Sequence, residues 1–90
     1  MTMHYFFPPA SAYALNRCLY LLKSDPVFRA RYLADRAAAM QELALDADAQ
    51  AALESFERDR LIGLGAHPYL VFMADLRLKM ETKPAAFEHF

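Results

Sequence analysis

Chemistry in a small chain needs histidines, thiols or paired carboxylates at usable spacing. The histidines are His4, His67 and His89. None stands four residues from another, so no helical pair of metal ligands exists, and two of the three sit in terminal segments. His67 next to Pro68 reads as a helix-start or interface histidine rather than a ligand or base. The single cysteine, Cys18, falls on an apolar helical stripe and reads as a small buried hydrophobe rather than a nucleophile. Gly63-Leu64-Gly65 lacks the further glycine and the lysine of a phosphate loop, and it ends a helix instead of following a strand. Glu54, Glu57 and Asp59 beside Arg58 and Arg60 form a solvated charged face by default rather than a catalytic dyad. Arg29, Arg31 and Arg36 raise the thought of a helix-turn-helix, but no basic recognition helix accompanies them. No catalytic, cofactor-binding or metal-ligating residues are expected on this chain, which leaves an interaction role.

The elements that hold these residues are predicted to be helical throughout. Valine occurs only at 27 and 71 and isoleucine only at 62, while Ala, Leu, Glu, Arg and Met are plentiful. Ser11 is expected to cap a first helix whose Leu15, Cys18, Leu19 and Leu22 share one face, with Asn16 and Lys23 away from it. Asp25-Pro26 starts a second helix, with Phe28, Tyr32 and Leu33 inward and Arg29 and Arg31 outward. Asp35 caps a third that turns Met40, Leu43 and Ala44 inward. Asp46 caps a fourth with Ala49, Ala52, Leu53 and Phe56 on its apolar face. Ser55 is expected to cap a short fifth helix that ends at Gly63 or Gly65.

The stretch from Arg58 to Met73 organises the rest. Gly65 suits a left-handed helix stop and Pro68 the first turn of the next helix. The sixth helix is expected to run from about His67 to Met80, with Tyr69, Phe72, Met73, Leu76 and Met80 on one face and Val71, Ala74 and Leu78 on another. Its first half carries no charge, so it wants cover on more than one side. Short connections between short helices predict an all-α, compact array of about five to six helices rather than long parallel rods.

Ninety residues make one domain, 1–90, with tails 1–10 and 81–90 expected to be irregular. Ten basic against eleven acidic side chains leave a net charge of −1, which removes any composition-level argument for nucleic acid or an anionic membrane. Apolar runs fall far short of the ~20 residues of a membrane span. The N-terminus has no signal-peptide pattern, and a lone thiol fits a reducing compartment, so a cytoplasmic location is expected. A surplus of aromatics remains: Tyr5, Phe6, Phe7, Tyr69, Phe72, Phe87 and Phe90. Either the tails fold back over the bundle, or these residues form an interface with the sixth helix.

A resemblance rests on the order and spacing of several of these features. Tyr13-Ala14-Leu15-Asn16, then Leu21-Leu22-Lys23 before Asp25-Pro26 and Phe28-Arg29, then Leu33-Ala34-Asp35, Leu43, Leu45, Arg58-Asp59, Leu61, Gly63 and Gly65-Ala66-His67-Pro68-Tyr69 follow one another. The pattern, over about residues 13 to 76, resembles the small alpha subunit of LigAB-type extradiol dioxygenases, the family of the protocatechuate 4,5-dioxygenase alpha chain. The short tails look more like the small subunits of enzymes acting on bulkier catechols. The resemblance implies a helical array. It also implies a large beta subunit that holds a non-haem Fe(II) with two histidines and a glutamate, cleaves a catechol-type ring with dioxygen, and is covered by the small subunit. The cofactor would belong to that partner. On this chain the expected partner interface is Gly65, His67, Pro68, Tyr69, Phe72 and Met73, within a hetero-oligomer. The alternative is a self-contained interaction module, a homodimer through the same face.

Overall fold

A computed structural model of the protein describes residues 10–82. Over those residues the chain forms six helices and no strand: α1 (Ala10–Ser24), α2 (Pro26–Ala34), α3 (Arg36–Glu42), α4 (Ala47–Ser55), α5 (Arg58–Gly63) and α6 (Pro68–Thr82). The all-α array expected from composition is the observed architecture. Of the residues expected to be irregular, Ala10 belongs to α1 and Glu81 and Thr82 to α6; the others lie outside the described residues. His4, Tyr5, Phe6, Phe7, Phe87, His89 and Phe90 lie outside the described residues.

Local chemistry sets most helix boundaries. The Asp25 carboxylate accepts from the backbone N–H groups of Val27 and Phe28 at 3.0 and 3.1 Å, and Pro26 fills the position where no N–H is needed. Asp35 accepts from Ala38 N–H at 3.1 Å to start α3, and Asp46 from Ala49 N–H at 2.9 Å to start α4. Two expected caps fail. Ser11 falls inside α1, which begins one residue earlier. Ser55 is the last residue of α4, and its hydroxyl turns back to the carbonyls of Ala51 and Ala52, so Glu57 precedes α5 without a side-chain cap.

Helices α3 and α5 end in the same way. At the end of α5 the N–H of Gly65 donates to Ile62 O at 2.9 Å and that of Ala66 to Leu61 O at 3.0 Å, a Schellman closure with Gly65 at φ +104°. At the end of α3, Ala44 N–H donates to Gln41 O at 3.0 Å and Leu45 N–H to Met40 O at 3.2 Å. There the left-handed residue is Ala44, at φ 60°. In both motifs the residue after the left-handed one is apolar and buried, Ala66 in one and Leu45 in the other. This geometry corrects one expectation: Ala44 is exposed, and Leu45 takes the inward place.

The core gathers Leu15, Cys18, Leu19 and Leu22 from α1, Phe28 and Tyr32 from α2, Met40 from α3, Ala49, Ala52 and Leu53 from α4, Leu61 from α5, and Val71 and Ala74 from α6. The stripe read along α1 and the Ala49, Ala52, Leu53 spacing of α4 are therefore the buried faces, while Leu33, Leu43 and Phe56 pack half-buried at the margin.

Arg29 departs from its expected outward position. It is only 8% exposed. Its Nη1 donates to the carbonyls of Leu22 at 2.9 Å and Lys23 at 3.3 Å, and its Nε reaches Glu81 at 3.2 Å. Those carbonyls belong to the last turn of α1, where acceptors lack helical partners and the helix dipole favours a cation. One guanidinium thus joins the end of α1, the start of α2 and the end of α6. Arg31 does point outward, paired with Glu42 at 2.7 Å.

Candidate functional site

The junction between α5 and α6 is built on α1. Gly65 lies so close to Ala12 that a Cβ placed on the glycine would stand 2.7 Å from the Ala12 Cβ. Glycine is thus required twice, for its positive φ and for this approach. One turn along α1, the Asn16 amide spans the same junction. Its Nδ2 donates to Ala12 O and Gly65 O, both at 2.9 Å, and its Oδ1 accepts from His67 N–H at 2.7 Å. Sequence reasoning placed Asn16 away from the buried face, which is correct, but had no signal for a partner about fifty positions away. Its setting in the Tyr13-Ala14-Leu15-Asn16 run was the only pointer.

His67 then starts α6. Its Nδ1 accepts from Tyr69 N–H at 3.1 Å, so the neutral ring carries its proton on Nε2. Pro68 follows as the first helical residue. Beyond it the helix divides cleanly. Val71 and Ala74 are buried against the bundle, while Tyr69 and Phe72 stand 55% and 62% exposed on the other side and Met73 lies between. The six residues singled out from sequence therefore form one contiguous edge: Gly65, His67, Pro68, Tyr69 and Phe72 are exposed and Met73 is half-buried. Over its first turns, from Pro68 to Ala74, α6 thus buries one side and exposes Tyr69 and Phe72 on the other.

Helix α1 adds a part of this edge that sequence reasoning missed. Tyr13 and Tyr20 are 69% and 52% exposed, and the Lys23 ammonium lies 5.4 Å from the Tyr20 ring centre and 5.9 Å from that of Tyr69. A single cation resting on both rings makes the outer faces of α1 and α6 one surface. The signal was present as Tyr13, Arg17 and Tyr20 at helical spacing, but a lone helix face does not announce which neighbour it adjoins.

Elsewhere the chemistry is sparse. Among the described residues no three His, Cys, Asp or Glu side chains come together in a way that could hold a metal ion. Cys18 is buried, and burial pushes its thiol up to about 12, so the nucleophilic thiolate is suppressed. Glu54 pairs with Arg36 at 3.9 Å and Asp59 with Arg58 at 3.4 Å, both on solvent-exposed side chains. With Arg29 buried and Arg31 and Arg36 facing carboxylates, the three arginines do not make a basic groove-reading face. A cleft of about 210 Å³ bordered by Tyr32, Arg36, Glu54, Asp75 and Lys79 has its charges matched in the Arg36–Glu54 and Asp75–Lys79 pairs. No helix among the described residues is long and apolar enough to cross a membrane.

The chain belongs to the LigA family: the model for the aromatic-ring-opening dioxygenase LigAB, LigA subunit, matches residues 15–87. It is thus a small subunit of the aromatic-ring-opening dioxygenase type, and membership implies a large-subunit partner. Neither curated proteins nor solved structures provide a match to this chain.

Proposed function

We propose that this chain is the non-catalytic small subunit of an extradiol dioxygenase, and that the edge from Gly65 to Met73 docks on the large subunit and covers the mouth of its active site. The observation that carries the reading is the pair Tyr69 and Phe72, more than half exposed on a helix whose start is fixed to α1 through Asn16 and Gly65. Aromatic anchors on a rigid element lose little conformational freedom when they are buried, which is what a docking surface needs. In this reading a ferrous ion held by the large subunit supplies the binding of the catechol and the activation of dioxygen. This chain's residues supply no ligand to it. Their work is to exclude water and to hold the pocket mouth in one shape. The reading includes a cytoplasmic location for the complex, and the free thiol of Cys18 supports it, since a reducing compartment keeps thiols reduced.

The test is co-purification. Phe72→Asp and Tyr69→Asp each bury a carboxylate in the proposed contact, and each is expected to abolish capture of the large subunit while leaving the circular dichroism of the isolated chain unchanged. Normal assembly by both variants would show that this edge is not the interface. A stable homodimer that ignores the large subunit would favour a self-contained interaction module instead.

A further inference from the structure

The docking edge read from sequence is confined to the α5–α6 junction and α6, yet the exposed aromatic surface continues across α1. Tyr13, Arg17 and Tyr20 follow one another at i, i+4 and i+7, so they share a face of that helix. Lys23 joins this face to Tyr69 by lying over the Tyr20 and Tyr69 rings. Among the described residues of α1 and the first half of α6, the charge on the combined surface is of one sign. Helix α1 carries Arg17 and Lys23 and no acidic residue, and the first carboxylate on α6 is Asp75, past Phe72 and paired with Lys79 at 3.0 Å. Among the described residues neither Arg17 nor Lys23 lies within 4.0 Å of a carboxylate. A chain of net charge −1 has thus gathered aromatic rings on one surface with two cations that have no acidic partner among the described residues.

We propose that the outer face of α1, through Tyr13, Arg17, Tyr20 and Lys23, is the second half of the docking surface, and that it takes a carboxylate-bearing apolar surface of the large subunit. This rests on the docking role assigned above to Tyr69 and Phe72. Charge decides among occupants. In a two-fold contact between copies the same patch meets itself, so Arg17 and Lys23 of both copies would gather four cations in one contact with no acid from the described patch to relieve them. Two cations in a chain of balanced charge are too few for a phosphate-tracking nucleic-acid surface or a polybasic membrane anchor. A protein surface with carboxylates set among apolar groups satisfies both the rings and the cations. Lys23 is also partly oriented beforehand, because the two rings restrict its ammonium.

The experiment measures association of the purified chain with the large dioxygenase subunit of the same source, across ionic strength. Arg17→Glu with Lys23→Glu is expected to weaken association about tenfold to a hundredfold at low salt. The wild-type affinity should fall as salt rises to about 1 M, where the screening length is ~3 Å, whereas Arg17→Gln with Lys23→Gln should start weaker and change little. Unchanged thermal unfolding of the isolated variants guards against a folding defect, and Tyr13→Ser gives a second reading of the same face without a charge change. If charge reversal leaves association at the wild-type level while Phe72→Asp abolishes it, the α1 face is not part of the contact and the α6 reading stands. If neither affects association, both fall. Salt-sensitive binding of duplex DNA or anionic vesicles by the wild type, lost in the reversal variant while assembly is retained, would also overturn the proposal.

Discussion

Gly65 and Ala12 pack so closely that a single added methyl on the glycine would approach the alanine Cβ to 2.7 Å. Gly65→Ala therefore combines a left-handed backbone with an overpacked contact, and is expected to cost about 2–5 kcal/mol, read by urea or thermal unfolding. Gly65→Ala in an Ala12→Gly background should recover the packing part of that loss and keep the backbone part. Additive losses would show that the two positions do not interact.

Ala44 occupies the same place at the end of α3 that Gly65 occupies at the end of α5, with the wrong residue type for it. Its φ of 60° carries a steric cost that glycine escapes. Ala44→Gly is expected to stabilise the chain by about 0.5–1 kcal/mol, since relief of that cost exceeds the added freedom of the unfolded chain. Ala51→Gly, exposed within α4, should move stability the opposite way by about 1 kcal/mol. The sign difference between the two in parallel thermal melts is the test.

Arg29 and Glu81 form an ion pair whose halves are unequal. The arginine side chain is 10% exposed and also serves two carbonyls of α1, whereas the glutamate is 47% exposed. Arg29→Met is expected to cost about 2–3 kcal/mol through the charged hydrogen bonds lost at the end of α1. Glu81→Gln should cost less than about 1 kcal/mol, because solvent already screens that carboxylate. Equal effects in denaturant titrations would mean that the ion pair, not the carbonyl contacts, holds the three helix ends together.

These residues mark how far the sequence could be read. Asp25, Asp35 and Asp46 cap their helices within three positions of themselves, so each start was visible as a local pattern. Gly65 was legible for the same reason, because a left-handed stop is a local demand. Asn16 and Arg29 were not legible as organisers, since their partners Gly65, His67 and Glu81 lie about fifty residues away and only the fold brings them near. Ser55 misled because a serine at a helix end has two uses, and here its hydroxyl returns to the preceding carbonyls. The candidate edge on α6 was legible as an uncharged half-helix. Its continuation on α1 was hidden because Lys23 brings Tyr20 together with Tyr69 only in space.

Cys18 and Tyr32 make stability fall at alkaline pH. Burial raises the thiol from 9.0 and the phenol from 10.0, each to about 12. Both groups are neutral when protonated, so above pH 9.0 the unfolded chain releases protons that the folded chain retains. The stability they contribute is fully present below pH 9.0 and is lost progressively as pH rises towards 12. Urea titrations from about pH 8 upward should show this decline, and Cys18→Ala should flatten the first part of it. A flat profile through that window would contradict the burial of both groups. The same burial predicts slow reaction of Cys18 with thiol reagents until the chain is unfolded.

Adding the pure chain to the purified large subunit tests the docking role through two quantities measured together: the mass of the complex by light scattering, and oxygen uptake with a catechol substrate. A heteromeric complex is expected, with ring-opening turnover that rises with the wild-type chain until it is saturated and stays at the large subunit's own level with Phe72→Asp. A large subunit that elutes alone and turns over at the same rate with or without this chain would contradict the docking role.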